Sequence, residues 1–157
     1  MAKIFSGFVE ITADEKNRYR FPAKFKDAYI VDEELTEVYM FKDLQQNCIT
    51  IYPKAEGDKI LAKLKTQLGI LNNSLTPVIE YFATNMDLSK VDSQGRFTLS
   101  SEQLNGLKLG KEVIMTGMIN KLQLWSKEEY QKHQAEQAAV IVSPEVAESI
   151  NNLFVGI

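Results

Sequence analysis

The residues best suited to bind a charged partner are three arginines that lie in two similar stretches of the chain. Arg18 and Arg20 belong to the stretch from Asp14 to Pro22, and Arg96 belongs to the stretch 92–100; every other basic residue is lysine. A guanidinium group is a planar fork of donors that matches phosphate oxygens and guanine edges, whereas lysine carries a single ammonium. The two stretches therefore indicate binding of phosphate or nucleic acid.

Both stretches have the form of a turn that leads into a strand. Asp14 and Asp92 begin the two stretches, and an aspartate can accept hydrogen bonds from the backbone of the residues just ahead of it. Asn17 and Gly95 stand where such a turn needs a residue at positive φ, which glycine and asparagine tolerate best. We predict that these four residues shape the turns.

After each turn, apolar and polar residues alternate as in a half-buried strand. The side chains predicted to face the core are Tyr19, Phe21, Phe97 and Leu99, and those predicted to face outward are Arg18, Arg20, Arg96 and Thr98. Lys16 and Lys24 lie close to the first turn in sequence and join the candidates for contact with a ligand. An alternative role is an Asp–Arg ion pair that only stiffens the turn, and the two roles are compatible.

The segments around the turns repeat as well, which predicts one unit present twice. Val113–Met115 matches Val38–Met40, and Leu122–Trp125 matches Ile49–Tyr52, in the same order after the two turns. Residues 1–68 are predicted to form the first half, 69–82 a helical linker, 83–130 the second half and 131–157 a C-terminal helical extension. The last helix has its apolar positions at helical spacing, and it could pack on its own subunit or on a neighbour.

Composition limits the classes of function. The chain has 157 residues and a formal net charge of −3, but residues 127–157 carry that whole excess and the rest is neutral. A neutral body predicts no strong non-specific binding to nucleic acid. No apolar run is long enough to span a membrane, and the lone Cys48, predicted to pack within a strand, cannot form an internal disulfide. The expected location is the cytoplasm.

Signatures of catalysis are missing from the sequence. There is no Cys/His cluster for zinc, no phosphate-binding loop and no nucleophile elbow, and the sole His133 is predicted to lie on a solvated helix face. We expect a protein that is not an enzyme, with no catalytic residue, no bound metal and no cofactor.

With both turns placed, the chain resembles the MraZ family of bacterial transcription regulators, which are built from two SpoVT/AbrB-like swapped-hairpin halves. The resemblance runs from about Phe5 to Tyr130 and rests on two Asp-x-x-Gly-Arg turns. It also rests on Ser6-Gly7, Pro22–Phe25 and Leu124–Lys127. Asn17 stands in place of the first glycine, and Ser100 stands in place of the proline of the second half.

The resemblance implies a fold, a partner and a role. The fold would be α+β and mainly β, a duplicated swapped-hairpin β-barrel with short helices. The chain would form a ring-shaped homo-oligomer that binds double-stranded DNA at short direct repeats and represses the division and cell-wall gene cluster. The further expectation of a location at the nucleoid comes only with this resemblance. Arg18 and Arg96 would contact DNA, and Asp14 and Asp92 would hold the turns. The alternatives are an AbrB-like DNA binder of another role, either an antitoxin or a nucleoid-associated protein, and a ring-forming structural module without DNA binding.

Overall fold

The first of two compact units, Met1–Ser126, combines antiparallel strands with helices, whereas the second, Lys127–Ile157, is helical. The computed structural model describes residues 4–28, 36–68 and 74–157. The strands are β1 (Phe8–Thr12), β2 (Tyr19–Arg20), β3 (Glu37–Lys42), β4 (Ile49–Pro53), β5 (Leu88–Lys90), β6 (Arg96–Phe97), β7 (Glu112–Gly117) and β8 (Leu122–Ser126). The helices are α1 (Ala23–Ala28), α2 (Lys54–Leu68), α3 (Thr76–Asn85), α4 (Ser101–Gly106), α5 (Lys127–Ile141) and α6 (Pro144–Leu153). The fold class is α+β as predicted, but more of the described residues lie in helices than in strands, so the expectation of a mainly β protein is wrong.

The strands form an open sheet, which corrects the expectation of a closed barrel. Six strands are hydrogen-bonded in the order β1-β7-β8-β4-β3-β5, and β2 and β6 pair separately with each other. The described part of the chain closes no barrel because β1 and β5 each have a partner on one side only. The β2–β6 ladder is two residue pairs long and joins no edge of the large sheet.

The strand order is unchanged when the two halves are exchanged. If each of β1–β4 is exchanged with its counterpart in β5–β8, the strand order becomes β5-β3-β4-β8-β7-β1. This is the observed order read from the other edge of the sheet. The register agrees, because Ile11 pairs with Val113 while the residues at corresponding positions, Ser89 and Val38, also pair. The first strand of each half thus pairs with the third strand of the other half. This exchange holds the two halves together.

Alternating side chains of both halves fill one continuous core. The residues that were predicted to face inward after the turns, Tyr19, Phe21, Phe97 and Leu99, are 1, 2, 2 and 8% exposed. They pack with apolar residues of β3, β4, β7 and β8. Cys48 is buried as predicted, although it lies just before β4 and not within a strand, and its burial raises the pKa of the thiol to about 12. The half-buried strand pattern read from the sequence is confirmed.

Helix starts agree with the sequence in one case and differ in another. Ser100 caps α4 through a capping box, since its hydroxyl accepts a hydrogen bond from the Gln103 amide while the Gln103 side chain accepts one from the Ser100 amide. A threonine followed by proline, as at Thr76 and Pro77, is a typical sequence signal for a helix cap, but Thr76 is the first helical residue of α3 and Leu75 occupies the cap position. Part of the predicted linker, residues 69–73, lies outside the described residues. The division of the chain into four segments stays a prediction.

The second unit consists of α5 and α6, joined at Val142 and Ser143. Most of its large apolar side chains are exposed, including Val142 at 80% and Leu153 at 70%. Across the described residues of the whole chain, no helix combines the length and apolarity that a membrane crossing requires.

A second apolar cluster lies where α2 and α3 pack on β3 and β4. In this cluster a glycine of α2 lies directly against the ring of Tyr39. Gly57 is the buried residue of α2, and a Cβ built on it would lie 2.0 Å from Cδ2 of Tyr39. The Tyr39 hydroxyl donates to Asp58 Oδ1 at 2.6 Å, so the ring is held in place. Glycine is a poor helix former, and its presence in the middle of α2 is explained by this contact.

We predict that Gly57→Ala lowers the free energy of unfolding by about 1–3 kcal/mol, the usual cost of forcing extra volume into a packed core. A urea denaturation curve measures it. Gly106→Ala is the matched control, because a Cβ at Gly106 meets nothing within 4 Å. Equal midpoints for Gly57→Ala and the wild-type protein would show that the Tyr39 ring moves aside freely.

Candidate nucleic-acid interface

The first turn is held by one carboxylate that accepts three hydrogen bonds. Asp14 Oδ1 accepts from the backbone amides of Lys16 and Arg18, both at 2.9 Å, and Oδ2 accepts from Arg18 Nε at 2.7 Å. Backbone bonds from the Asp14 amide to the Arg18 carbonyl and from the Asn17 amide to the Asp14 carbonyl close the loop. Asn17 has φ of 58°, the left-handed conformation that asparagine accepts more readily than most residues.

The second turn repeats this arrangement bond for bond. Asp92 Oδ1 accepts from the amides of Gln94 at 2.9 Å and Arg96 at 2.8 Å, and Oδ2 accepts from Arg96 Nε at 2.7 Å. Gly95 occupies the position of Asn17 with φ of 79°. Two stretches that differ in most residues thus have the same hydrogen-bonded geometry, because they share the aspartate, the residue at positive φ and the arginine.

These hydrogen bonds stabilise the ionised form of each aspartate. The backbone amide of Arg18 is the main cause that lowers the pKa of Asp14, and the Arg18 side chain and the Lys16 amide act in the same direction against partial desolvation. The pKa of Asp92 is lowered in the same way, chiefly by the amide of Arg96. Both carboxylates are therefore charged throughout the neutral range and remain available to orient the guanidinium groups.

We predict that acid loosens the turns. The pKa of each aspartate is lower in the folded protein than the value of about 3.9 in an unfolded chain, so the stabilisation is complete above that value. It is lost as the pH falls through the lowered folded value. The stability of Asp14→Asn/Asp92→Asn should be lower at neutral pH and should change less between pH 5 and pH 2. Thermal melts across this range test this, and parallel curves for the two proteins would contradict it.

A short antiparallel ladder joins the two turns. β2 pairs with β6 through Tyr19 with Phe97 and Arg20 with Arg96, and the Phe21 amide donates to the Gly95 carbonyl at 2.9 Å. The turns therefore lie at the two ends of a ladder only two residue pairs long. Paired residues of a ladder project from the same face, so Arg20 and Arg96 lie side by side opposite the buried Tyr19 and Phe97 rings. Their positions relative to each other are fixed by the backbone.

The three arginines are bonded in a way that leaves donors available. Asp14 and Asp92 take only the Nε of Arg18 and Arg96, whose side chains are 29% and 25% exposed. Within the described residues, no other partner engages the terminal nitrogens of these two arginines. Arg20 is exposed, and its Nη2 donates to Gln94 Oε1 at 3.1 Å, from the first half to the second. Each aspartate thus orients a guanidinium group while the outer edge of that group stays open to a ligand.

The lysines differ in their relation to the turns. Lys16 is exposed within the first turn. Lys24 is also exposed, but its ammonium lies against Gly7, at the opposite end of β1 from the Asp14 turn. Lys26 was not among the predicted residues, yet its Nζ lies 3.8 Å from where a Cβ of Gly95 would be. The sequence offered no signal for Lys26, because it belongs to the first half and lies beside the turn of the second.

The described residues contain no group of three or more His, Cys, Asp or Glu that could hold a metal ion. The chain is thus an α+β protein with two turns, in each of which an aspartate bonds to an arginine, and the β2–β6 ladder joins the two turns.

Three relatives bear one name, "Transcriptional regulator MraZ". The protein of Bacteroides thetaiotaomicron is 30% identical over 142 residues, which cover 90% of this chain and 85% of the relative. That of Desulforamulus reducens is 29% identical over 155 residues, 96% and 100% of the two chains. That of Shewanella frigidimarina is 31% identical over 146 residues, 92% and 93%. A family model described as "MraZ protein, putative antitoxin-like" matches residues 82–149. The chain belongs to the MraZ family.

Proposed function

We propose that this chain is a DNA-binding transcriptional regulator and that Arg18, Arg96 and Arg20 contact the duplex, with Lys16 and Lys24 as supporting basic residues. The observation that carries the proposal is the pair of turns in which an aspartate holds Nε of an arginine and leaves its terminal nitrogens open. Asp14, Asn17, Asp92 and Gly95 are the residues that give these turns their shape. The names of the relatives agree with such a role.

The pre-oriented arginine suits nucleic acid for a physical reason. A long side chain loses rotamer freedom when it binds, and a chain already fixed by a hydrogen bond has less of that freedom to lose. An open guanidinium edge can then make a bidentate contact with guanine or with a phosphate. Lys26 adds positive charge beside the second turn, so we include it among the residues expected to lie near the DNA backbone.

We further propose an oligomeric assembly and a DNA target for this chain. Two AbrB-like halves in each chain, several chains in a ring and binding to short direct repeats form one consistent arrangement. Modest contacts on a rigid scaffold add through effective concentration when the spacing of the repeats matches that of the subunits. Repression of the division and cell-wall gene cluster, in the cytoplasm and at the nucleoid, is the role that we assign to this assembly.

The test is a salt series of DNA binding, measured by fluorescence anisotropy with a promoter fragment that holds direct repeats. We expect the affinity of the wild-type protein to fall as salt rises, and Arg18→Ala and Arg96→Ala each to bind more weakly. If an arginine contacts phosphate, its loss should flatten the log–log salt dependence by about one unit. A base contact should cost about 1–3 kcal/mol at its preferred base.

Lys59→Ala serves as the control, because Lys59 pairs with Glu56 on the exposed side of α2. Its removal should leave the affinity unchanged. A wild-type DNA affinity that does not change with salt concentration would be evidence against the proposal. Arginine variants that bind DNA as tightly as the wild-type protein would also be evidence against it.

A further inference from the structure

The N-terminal segment extends the pairing of β7 beyond the end of β1. The Phe5 amide donates to the Ile119 carbonyl at 2.8 Å and the Ile119 amide donates to the Phe5 carbonyl at 2.9 Å. Between them, the Gly117 amide donates to the Gly7 carbonyl at 2.8 Å. Phe5 is 1% exposed, and its ring centroid lies 6.2 Å from that of Phe25. An extended segment with one anchoring aromatic side chain therefore completes this half.

The corresponding edge of β3 has no such extension. β5 pairs with β3 only from Glu37 to Tyr39, and the chain before β5 is the helix α3. In the alignment of the two halves, which matches Val38 with Val113, Met40 and Lys42 correspond to Met115 and Gly117. Among the residues that the structure describes, Met40–Lys42 have a strand partner only in β4. The edge that would continue β5 is open.

A cavity of about 540 Å³ lies along this open edge, and its lining includes Met40, Lys42, Tyr81, Ser89 and Gln103. The Met40 carbonyl accepts a long bond of 3.4 Å from Gln103 Nε2, and the Lys42 carbonyl accepts one from the Tyr81 hydroxyl. Both carbonyls thus point away from β4. In an antiparallel strand the amide of a residue points the same way as its carbonyl, so an extended chain that replaces these two side-chain bonds meets backbone donors and acceptors along the edge.

One wall of the cavity, formed by Gln103, corresponds to the residue against which Phe5 packs in the other half. When Asp14 is aligned with Asp92, Gln103 near the start of α4 takes the position of Phe25, so a polar side chain replaces the ring on which Phe5 packs. A volume of this size is within the range of sites that bury a ligand. The second half therefore has room for an extended segment that carries an aromatic side chain.

The last five residues of the chain repeat the pattern of the segment that fills the first half. Residues 153–157, Leu-Phe-Val-Gly-Ile, match residues 4–8, Ile-Phe-Ser-Gly-Phe, as apolar, Phe, any residue, Gly, apolar. Gly156 and Gly7 have φ of 86° and 85°. Phe154 and Ile157 are 59% and 94% exposed. Three backbone bonds of 3.3–3.4 Å hold this tail at the end of α6, and bonds of that length are weak enough to be exchanged for others.

We propose that the C-terminal tail, residues 153–157, of one copy binds along the open edge of β3 in a second copy and places Phe154 in the cavity. The inference rests on the proposed homo-oligomer and identifies one contact that would build it. A tail that binds a different surface of its neighbour makes a head-to-tail contact, and such contacts close into rings when the rotation allows. Strand addition supplies the backbone bonds, and the cavity that receives Phe154 supplies the specificity.

A fluorescein-labelled peptide of residues 149–157 tests the site. The receptor is the full-length Phe154→Ala/Ile157→Ala protein, whose own tails no longer compete. We expect saturable binding, and we expect Thr84→Trp in the receptor to weaken it about tenfold or more, because Thr84 lines the cavity. Thr66→Trp is the matched control, since Thr66 is also an exposed helical threonine that bonds to its own helix. A peptide that fails to bind, or that binds the Thr84→Trp receptor equally well, overturns the proposal.

Assembly gives the second measurement. At equal concentration, Phe154→Ala/Ile157→Ala should have a lower weight-average mass by light scattering than the wild-type protein or Val142→Ala, and an unchanged mass would count against the tail. Neither measurement involves DNA. The tail contact can therefore fail while the salt-dependent binding of DNA holds, and the reverse outcome is equally visible.

Discussion

A protein in which Arg18 and Arg96 are both replaced by lysine should bind its DNA site about a hundredfold more weakly, although its net charge is unchanged. In each turn the aspartate accepts a hydrogen bond from one side-chain nitrogen of the arginine, and the other two nitrogens stay open for the proposed contact. Lysine has a single nitrogen, so it either bonds to the aspartate or reaches the DNA as a point charge. Each bidentate contact contributes about 1–3 kcal/mol, and each step of about 1.4 kcal/mol is a factor of ten.

The lysine variant separates geometry from charge. Because the charge is kept, the slope of affinity against salt should stay close to that of the wild-type protein while the affinity falls at every salt concentration. Thermal melting confirms that the variant is folded. Binding as tight as that of the wild-type protein would mean that the turns act only as positive charge, and the proposed contact by oriented arginines would then be wrong.

Gly117→Ala should destabilise the protein by about 3–5 kcal/mol, the usual cost of losing a buried phenylalanine. A Cβ on Gly117 would lie 2.5 Å from the backbone carbon of Phe5 and 2.5 Å from the Ser6 amide nitrogen. No flexible side chain can move aside there, so the N-terminal segment must leave and Phe5 must leave the core with it. We expect the melting temperature to fall by at least about 10 °C.

Gly110→Ala is the control for this substitution, because a Cβ at Gly110 meets nothing within 4 Å. Deleting the Phe5 ring in Phe5→Ala should destabilise the protein to a similar extent, and the double variant should be little worse than either single one. Additive effects in that cycle would show that Gly117 and the N-terminal segment act independently.

The turns were the part of the molecule most readable from sequence. Asp14 and Asp92 with their paired arginines follow from local chemistry, because the bonds in each turn join residues that are close neighbours in the chain. The capping box at Ser100 was predictable for the same reason. Strand positions followed from alternation, which reports only which side chains are buried.

The openness of the sheet and the place of Lys26 depend on contacts between distant residues. Alternation cannot tell whether β1 and β5 meet, and the barrel that the family resemblance implied is not closed in the described residues. Lys24 is closer than Lys26 to the first turn in sequence, but α1 places Lys24 beside Gly7 and Lys26 beside Gly95. The close approaches at Gly57 and Gly117 likewise depend on the pairing of elements that are far apart in the chain.

Both halves lie in one polypeptide, and this affects the symmetry of the DNA sequence that the proposed interface would bind. A dimer of identical chains presents two identical loops and is suited to palindromes. Here the loops have diverged: Arg20 corresponds to Thr98, Lys16 corresponds to Gln94, and Asn17 corresponds to Gly95. At the proposed interface, each chain would bind a non-palindromic DNA site in a single orientation. Successive chains in one assembly would then bind several copies of this site that all have the same orientation along the DNA.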